Sequence, residues 1–309
     1  MNVTTVDAPA PPSHATLKAL LSVLPCLFFF YINAVMMVAL FQKPQLLESC
    51  RYILFGHLLL TESLQLLFSV LLYLFALTKT AMLSYICISV ILFASLTLTM
   101  SPLNLAVMSL ERYIAIYCPL KHVHIVTSRT TGVAIAFIWT TGSLNSLTHW
   151  GLFISLKNTS FIVPRFCNRG NLFPLPIFSS INDAFTIAYF VIVSVVIIYT
   201  YVAILVIVKS ASSRSRNATK AGKTVLLHLI QLCLCLVSTL FNMINYNSKW
   251  NMQHIVVTHI QYTIFISLII FPKCLSPLIY GLRDQALRQI LQSYIPFRFT
   301  AAARTFASS

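Results

Sequence analysis

The amino-acid sequence predicts an all-α membrane protein, a bundle of seven transmembrane helices with a short amphipathic C-terminal helix. Three observations predict it. Apolar residues make up 58% of the 309-residue chain and charged residues only 9%, far from the balance of a soluble domain. Seven continuous apolar runs each reach the roughly 20 residues that a helix needs to cross a bilayer. The Lys and Arg residues collect in the short segments between alternate runs, the pattern that sorts inside from outside loops.

The spans are expected at 17–41, 52–77, 82–116, 131–156, 181–208, 224–247 and 254–280. Continuous apolarity argues for helices, because barrel strands alternate in polarity over about ten residues. Pro25, Pro102, Pro272 and Pro277 fall inside spans, where each removes a backbone donor and favours a kink. Residues 284–294 have helical apolar spacing and basic flanks, suited to a helix lying on the inner membrane surface. Residues 1–16 then form an extracellular N-terminus, 17–283 the bundle and 284–309 a cytoplasmic helix and tail.

Most of the 21 Lys and Arg residues share the face of Arg112, which places that face and the C-terminus in the cytoplasm. Topology therefore accounts for the net charge of +15 without a nucleic-acid partner, and attraction to anionic inner-leaflet lipid follows from it. No cleavable leader is expected ahead of the first span. Asn2 and Asn158 head glycosylation triplets on the predicted outer side. Of eight cysteines, Cys87 and Cys167 are the two assigned to the oxidising side. A bridge between them pins the long outer loop over the bundle and closes a loop of about 80 residues.

An acid and an arginine at the end of an apolar run are costly in lipid and mark a functional site. Glu111-Arg112-Tyr113 is that site at the end of the third span. Together with the seven spans and the two outer cysteines, it makes the chain resemble the rhodopsin-like (class A) G protein-coupled receptors. Asn33 in span one, Leu58-Leu-Leu-Thr-Glu62 in span two, Trp139 in span four and Ser276-Pro-Leu-Ile-Tyr280 ending span seven agree with that family's pattern. Met108-Ser-Leu-Glu-Arg-Tyr-Ile-Ala-Ile and Cys-Pro-Leu-Lys-His122 resemble the odorant receptor signature. Lys220-Ala-Gly-Lys-Thr-Val-Leu-Leu-His-Leu229 and Pro277-Leu-Ile-Tyr-Gly-Leu-Arg283 do so too. Glu62 in place of aspartate and Ser276 in place of asparagine look more like the fish-type odorant receptors.

The resemblance implies a receptor that binds a small-molecule odorant and activates a heterotrimeric G protein of the olfactory, stimulatory type, raising cyclic AMP at the plasma membrane. No cofactor or metal is implied. It assigns Arg112, held by Glu111, to the G protein switch, with Tyr113, Pro277, Tyr280 and one of Tyr199 or Tyr201. Glu62 and Lys273 are both deep in spans and costly unless they meet, so a buried ion pair with Ser276 and Asn33 nearby is expected. Ala94, where amine receptors of the family carry an acid, offers no counter-ion. Ser95, Leu98, Thr99, Phe185, Thr186, Phe241, Asn242, Tyr262 and Ile266 complete an expected pocket that is apolar with a few polar handles.

Other classes fit less well. Six acids in the whole chain offer no paired carboxylates, metal cluster or nucleophile with its base, so an enzyme is not indicated. His122 and His124 read as loop residues. Internal repeats of the transporter kind are absent from the sequence. A class A receptor for a peptide or lipid is the remaining alternative.

Overall fold

The computed structural model describes residues 12–78, 82–155 and 175–212, with Ile162, Val163, Cys167, Leu172, Phe173 and a few positions between 230 and 237. Helix α1 spans Pro12–Phe41 and a 3-10 turn follows at Pro44–Glu48. Helix α2 is Cys50–Thr78, strand β1 Met82–Leu83, α3 Ser84–Tyr117 and α4 Pro119–Ile125. Helix α5 is Ser128–Ser155, β2 Ile162–Val163 and α6 Pro176–Ser212. The long helices correspond to the first five expected spans, with ends within five residues of those expected: α1 and the helix at Pro176–Ser212 start five residues earlier, and α3 starts two residues later. Helix α4 and the short antiparallel β1–β2 pair are additions. Pro25 and Pro102 lie within continuous helices.

Among the described residues, four helices are long and apolar enough to cross a membrane: Val23–Phe41, Cys50–Phe75, Ser84–Tyr117 and Pro176–Ile207 carry those windows. Helix α5 is also long enough, at 28 residues, and is the most polar of the set, with Thr131, Asn145, Ser146 and His149 buried. The outward faces are apolar: Leu27, Phe28, Ile187, Val191, Val195, Ile198 and Val202 are all exposed. In water such a surface would aggregate, whereas in a bilayer it is the lipid-facing face.

Helix α3 is the hub, packing against α2, α5 and α6, while α1 packs on α2. The main core follows helical spacing: Ile32, Val35, Met36 and Ala39 of α1 meet Leu54, Phe55, Leu58 and Leu59 of α2. Leu96, Met100 and Leu103 of α3, Ile138 of α5 and Val193 and Ile197 of α6 complete it. Lipid tails are as apolar as leucine, so packing and interhelical hydrogen bonds hold such a bundle. Trp139 Nε1 donates to His57 Nε2 at 2.9 Å, joining α5 to α2. Asn104 Nδ2 donates to the Leu54 carbonyl at 3.0 Å, and Asn33 Nδ2 to Ser63 Oγ at 3.2 Å. Thr200 Oγ1 donates to Ser109 Oγ at 3.2 Å, joining α6 to α3.

Trp139→Phe keeps an aromatic ring at the site, smaller than the indole, and removes the donor, leaving the buried His57 acceptor unmet by Trp139. The expected loss is about 1 kcal/mol from the hydrogen bond, within the range for polar contacts between membrane helices. A lower melting temperature of the purified protein, with no further loss in the Trp139→Phe/His57→Leu double variant, is the predicted result.

Candidate functional site

The C-terminal end of α3 brings Glu111, Arg112 and Tyr113 together in its last two turns. Arg112 Nε lies 3.4 Å from Glu111 Oε2, with both side chains largely buried. The second carboxylate oxygen, Oε1, lies 3.3 Å from His122 Nε2 of α4. His122 is therefore not a plain loop residue. Helix α4 begins at Pro119, whose missing N–H costs nothing at a first helical position, and the turn at Cys118 folds it back beneath α3. There Cys50 Sγ of α2 meets the Val126 carbonyl at 3.2 Å. His124, two residues on, is exposed.

Tyr113 stacks on Tyr117 at 5.4 Å between ring centroids and meets Tyr199 of α6 edge-on at 6.0 Å. Of the two tyrosines considered for α6, Tyr199 is the one whose ring contacts this cluster. Tyr201 is partly buried further along the helix. Pro277 and Tyr280, expected to join the switch, lie outside the described residues.

Midway along α2, Glu62 is buried, with 2% of its surface exposed. Gln65 and Ser101 are buried as well, and Asn33 is held by Ser63 one residue beyond Glu62. Lys273 and Ser276, its expected partners, lie outside the described residues.

At the opposite end of α3, Cys87 and Cys167 are bridged, as expected. The bridge sits in a second apolar cluster with Ile88, Leu92, Phe153, Phe173 and Phe178. His149 is fully buried among these rings and spans α5 and α6, with Nδ1 2.9 Å from the Asn145 carbonyl and Nε2 3.2 Å from that of Phe178. No local sequence pattern signals this contact, because its acceptor lies 29 residues away.

Of the expected pocket residues, Ala94, Ser95 and Thr99 lie half-buried on α3, and Phe185 and Thr186 half-buried on α6. Leu98 is 40% exposed. Thr99 donates its hydroxyl to the Ser95 carbonyl and Thr186 to that of Asn182. Their donors are thus used within their own helices, which makes this region less polar than the residue types suggest. Phe185 stacks on Tyr189, whose hydroxyl donates to the Thr141 carbonyl of α5. Phe241, Asn242, Tyr262 and Ile266, and the glycosylation candidates Asn2 and Asn158, lie outside the described residues.

The chain is similar to Odorant receptor 131-2 of Danio rerio, 30% identical over 63% of this chain and 60% of that one. It is similar also to Olfactory receptor 5AU1 of Homo sapiens, 29% identical over 60% of this chain and 52% of that one. Olfactory receptor 7A40 of Mus musculus is 28% identical over 70% and 71% of the two chains. The matched region thus spans less than two thirds of the first two relatives. The model of the 7 transmembrane receptor (rhodopsin family) matches residues 32–280. A multi-pass helical bundle, its Cys87–Cys167 disulfide, the charged pair closing α3 and that match over most of the chain establish that this protein belongs to the rhodopsin family of seven-transmembrane receptors.

Proposed function

We propose that the protein is an odorant receptor that binds a small odorant in the outer half of the bundle and activates a stimulatory, olfactory-type heterotrimeric G protein, raising cyclic AMP. The observation that carries this reading is the segment Met108–His122. It has the odorant-type pattern, and its Glu111–Arg112 pair sits 3.4 Å apart where α3 ends. The names of the relatives support the odorant part of the reading.

The proposed placement is the plasma membrane, with the N-terminus outside and the C-terminus inside. Supporting it, the disulfide and the Glu111–Arg112 pair lie at opposite ends of α3. A structural disulfide belongs on the oxidising side and the basic loops on the cytoplasmic one. The 34 residues of α3, at about 1.5 Å rise per residue, outreach the bilayer's hydrocarbon core. In the resting state Glu111 holds Arg112, and an odorant that binds the alternative packing more tightly shifts the population toward release. The pocket is assigned to the half-buried positions of α3 and α6, with Phe241, Asn242, Tyr262 and Ile266. Glu62 is assigned an ion pair with Lys273, beside Ser276 and Asn33.

The test is a cyclic AMP assay in cells supplied with an olfactory-type G protein, screened against volatile and water-soluble odorants. Activation by members of either panel is expected. Activation by a peptide or lipid hormone, with silence to every odorant, would replace this reading with that of a non-olfactory receptor. Arg112→Ala should reach the surface normally yet lower the evoked response at least about tenfold, the change that roughly 1.4 kcal/mol of lost stabilisation produces.

A further inference from the structure

Glu111 has two holders on two helices. Arg112 of α3 takes Oε2 at 3.4 Å and His122 of α4 faces Oε1 at 3.3 Å. The carboxylate is mostly buried, with a tenth of its side chain exposed, whereas His122 keeps 27% exposure. Solvent protons therefore reach the imidazole more readily than they reach the carboxylate. Histidine is the side chain whose ordinary titration covers the cytosolic range.

We propose that His122 is a positioning residue for the Glu111–Arg112 pair, and that protonation of its imidazole favours release of Arg112. The inference rests on the receptor reading above. Its logic is the cost of leaving a charge stranded. When Arg112 swings away from Glu111 with His122 neutral, a largely buried carboxylate loses its cation, and a buried charge without a partner is strongly unfavourable. An imidazolium at His122 supplies that partner in advance. It also sets two cations about one carboxylate in the resting arrangement, and their mutual repulsion disfavours that arrangement. Both effects act in one direction. The released state gains relative to the resting state as protons bind, so ligand-independent coupling rises as cytosolic pH falls. The proton balance is simple: one proton moves from the cytosol onto the imidazole.

The groups around His122 leave this role to it. From α3 the charged residue that meets it is Glu111, which Arg112 holds by its other oxygen, with the Cys118 thiol at the joint between the helices. On its own helix Lys121 and His124 are exposed. Among the described residues, the neighbouring helix ends also carry Lys43 and Glu48 at the 3-10 turn, Arg51 at the start of α2, Arg129 at the start of α5 and Lys209 at the end of α6.

The experiment uses the full-length receptor in nanodiscs, with two readouts. The first is basal nucleotide exchange on the purified stimulatory G protein, measured from about pH 7.5 to about pH 6. The second is the fluorescence of a bimane label on Cys118, which reports the α3–α4 joint without any G protein. Cys233, Cys235 and Cys274 are replaced by serine in every sample, and labelling confined to Cys118 is confirmed by mass spectrometry. Wild type should show a rise in basal exchange of about threefold or more across the range, and a parallel bimane change. His122→Gln keeps a neutral donor and should give the low, pH-independent level in both readouts. His122→Lys fixes the charge and should give the high level throughout, and His124→Gln should behave as wild type. Equal pH slopes in wild type and His122→Gln, or low basal exchange in His122→Lys, would overturn the proposal. A bimane response confined to the intact histidine, with no exchange on the G protein, would uphold His122 as the proton-sensitive holder and sink the coupling assignment instead. A flat bimane trace in wild type would sink the His122 proposal whatever the G protein does.

Discussion

Cys87→Ser is expected to remove nearly all receptor from the cell surface, and Cys167→Ser to do the same. The bridge joins residues 80 positions apart, and in the chain-entropy model a loop of that size is worth about 4 kcal/mol. That is a large share of the roughly 5–15 kcal/mol by which folded proteins exceed their unfolded chains. The local surroundings add to the loss. Cys87 and Cys167 are both almost wholly buried, in contact with Ile88, Phe153, Phe173 and Phe178, so each variant leaves a buried polar group in an apolar cluster. Surface labelling of an N-terminal epitope by flow cytometry, beside total receptor by blot, checks the expectation. The double variant should be no worse than either single one, since one bond is lost in all three. Normal surface levels in the single variants would show that the packing of Phe153, Phe173 and Phe178 is sufficient on its own.

The second large effect concerns Glu62. If Glu62 and Lys273 form the proposed pair, Lys273→Met strands a carboxylate that is only 2% exposed, and Glu62→Gln strands an ammonium. Breaking a buried pair in this way costs about 3–5 kcal/mol, whereas replacing both partners by neutral groups is often close to neutral. The expected pattern is two poorly folded single variants and a Glu62→Gln/Lys273→Met double variant with partial recovery of thermal stability in detergent. Intact folding and signalling in Lys273→Met, with loss of both in Glu62→Gln, would sever the proposed link and leave Glu62 with a different counter-charge.

The five long helices were legible because a bilayer imposes a simple length and composition on whatever crosses it. Helix α5 was legible from its length and from the apolar stretch Val133–Trp139, although Thr131, Asn145 and His149 leave it less apolar than the other four. The receptor class was legible too: a member of this family is a receptor and not an enzyme, as the scarcity of acids suggested. Helix α4 was not, because seven residues are too few for a periodic pattern, although Pro119 at its first position was a usable start signal. His122 against Glu111 and Trp139 against His57 were illegible for a different reason. These pairs are 11 and 82 residues apart, and no single-helix spacing relates their members. The choice between Tyr199 and Tyr201 likewise turned on the rotation of α6 against α3. The hydroxyls of Thr99 and Thr186 show a third limit, for a residue type names a polar group but not whether its own backbone already occupies it.

The polar character of α5 bears on how the chain is assembled. Thr140, Thr141, Ser143 and Thr148 each donate to a carbonyl three or four residues earlier in the same helix. Those groups bring their own solvation with them as the segment leaves the translocon. Trp139 and Ser146 need α2 and α3, which have already been synthesised. Asn145 and His149 look to Asn182 and Phe178 of α6, which has not yet emerged when α5 enters the membrane. Until it does, the Asn145 amide and the His149 Nε2 lack the partners that α6 brings, although His149 Nδ1 already meets the Asn145 carbonyl within α5. A pause in synthesis between α5 and α6 therefore leaves two polar groups of α5 waiting for the next helix.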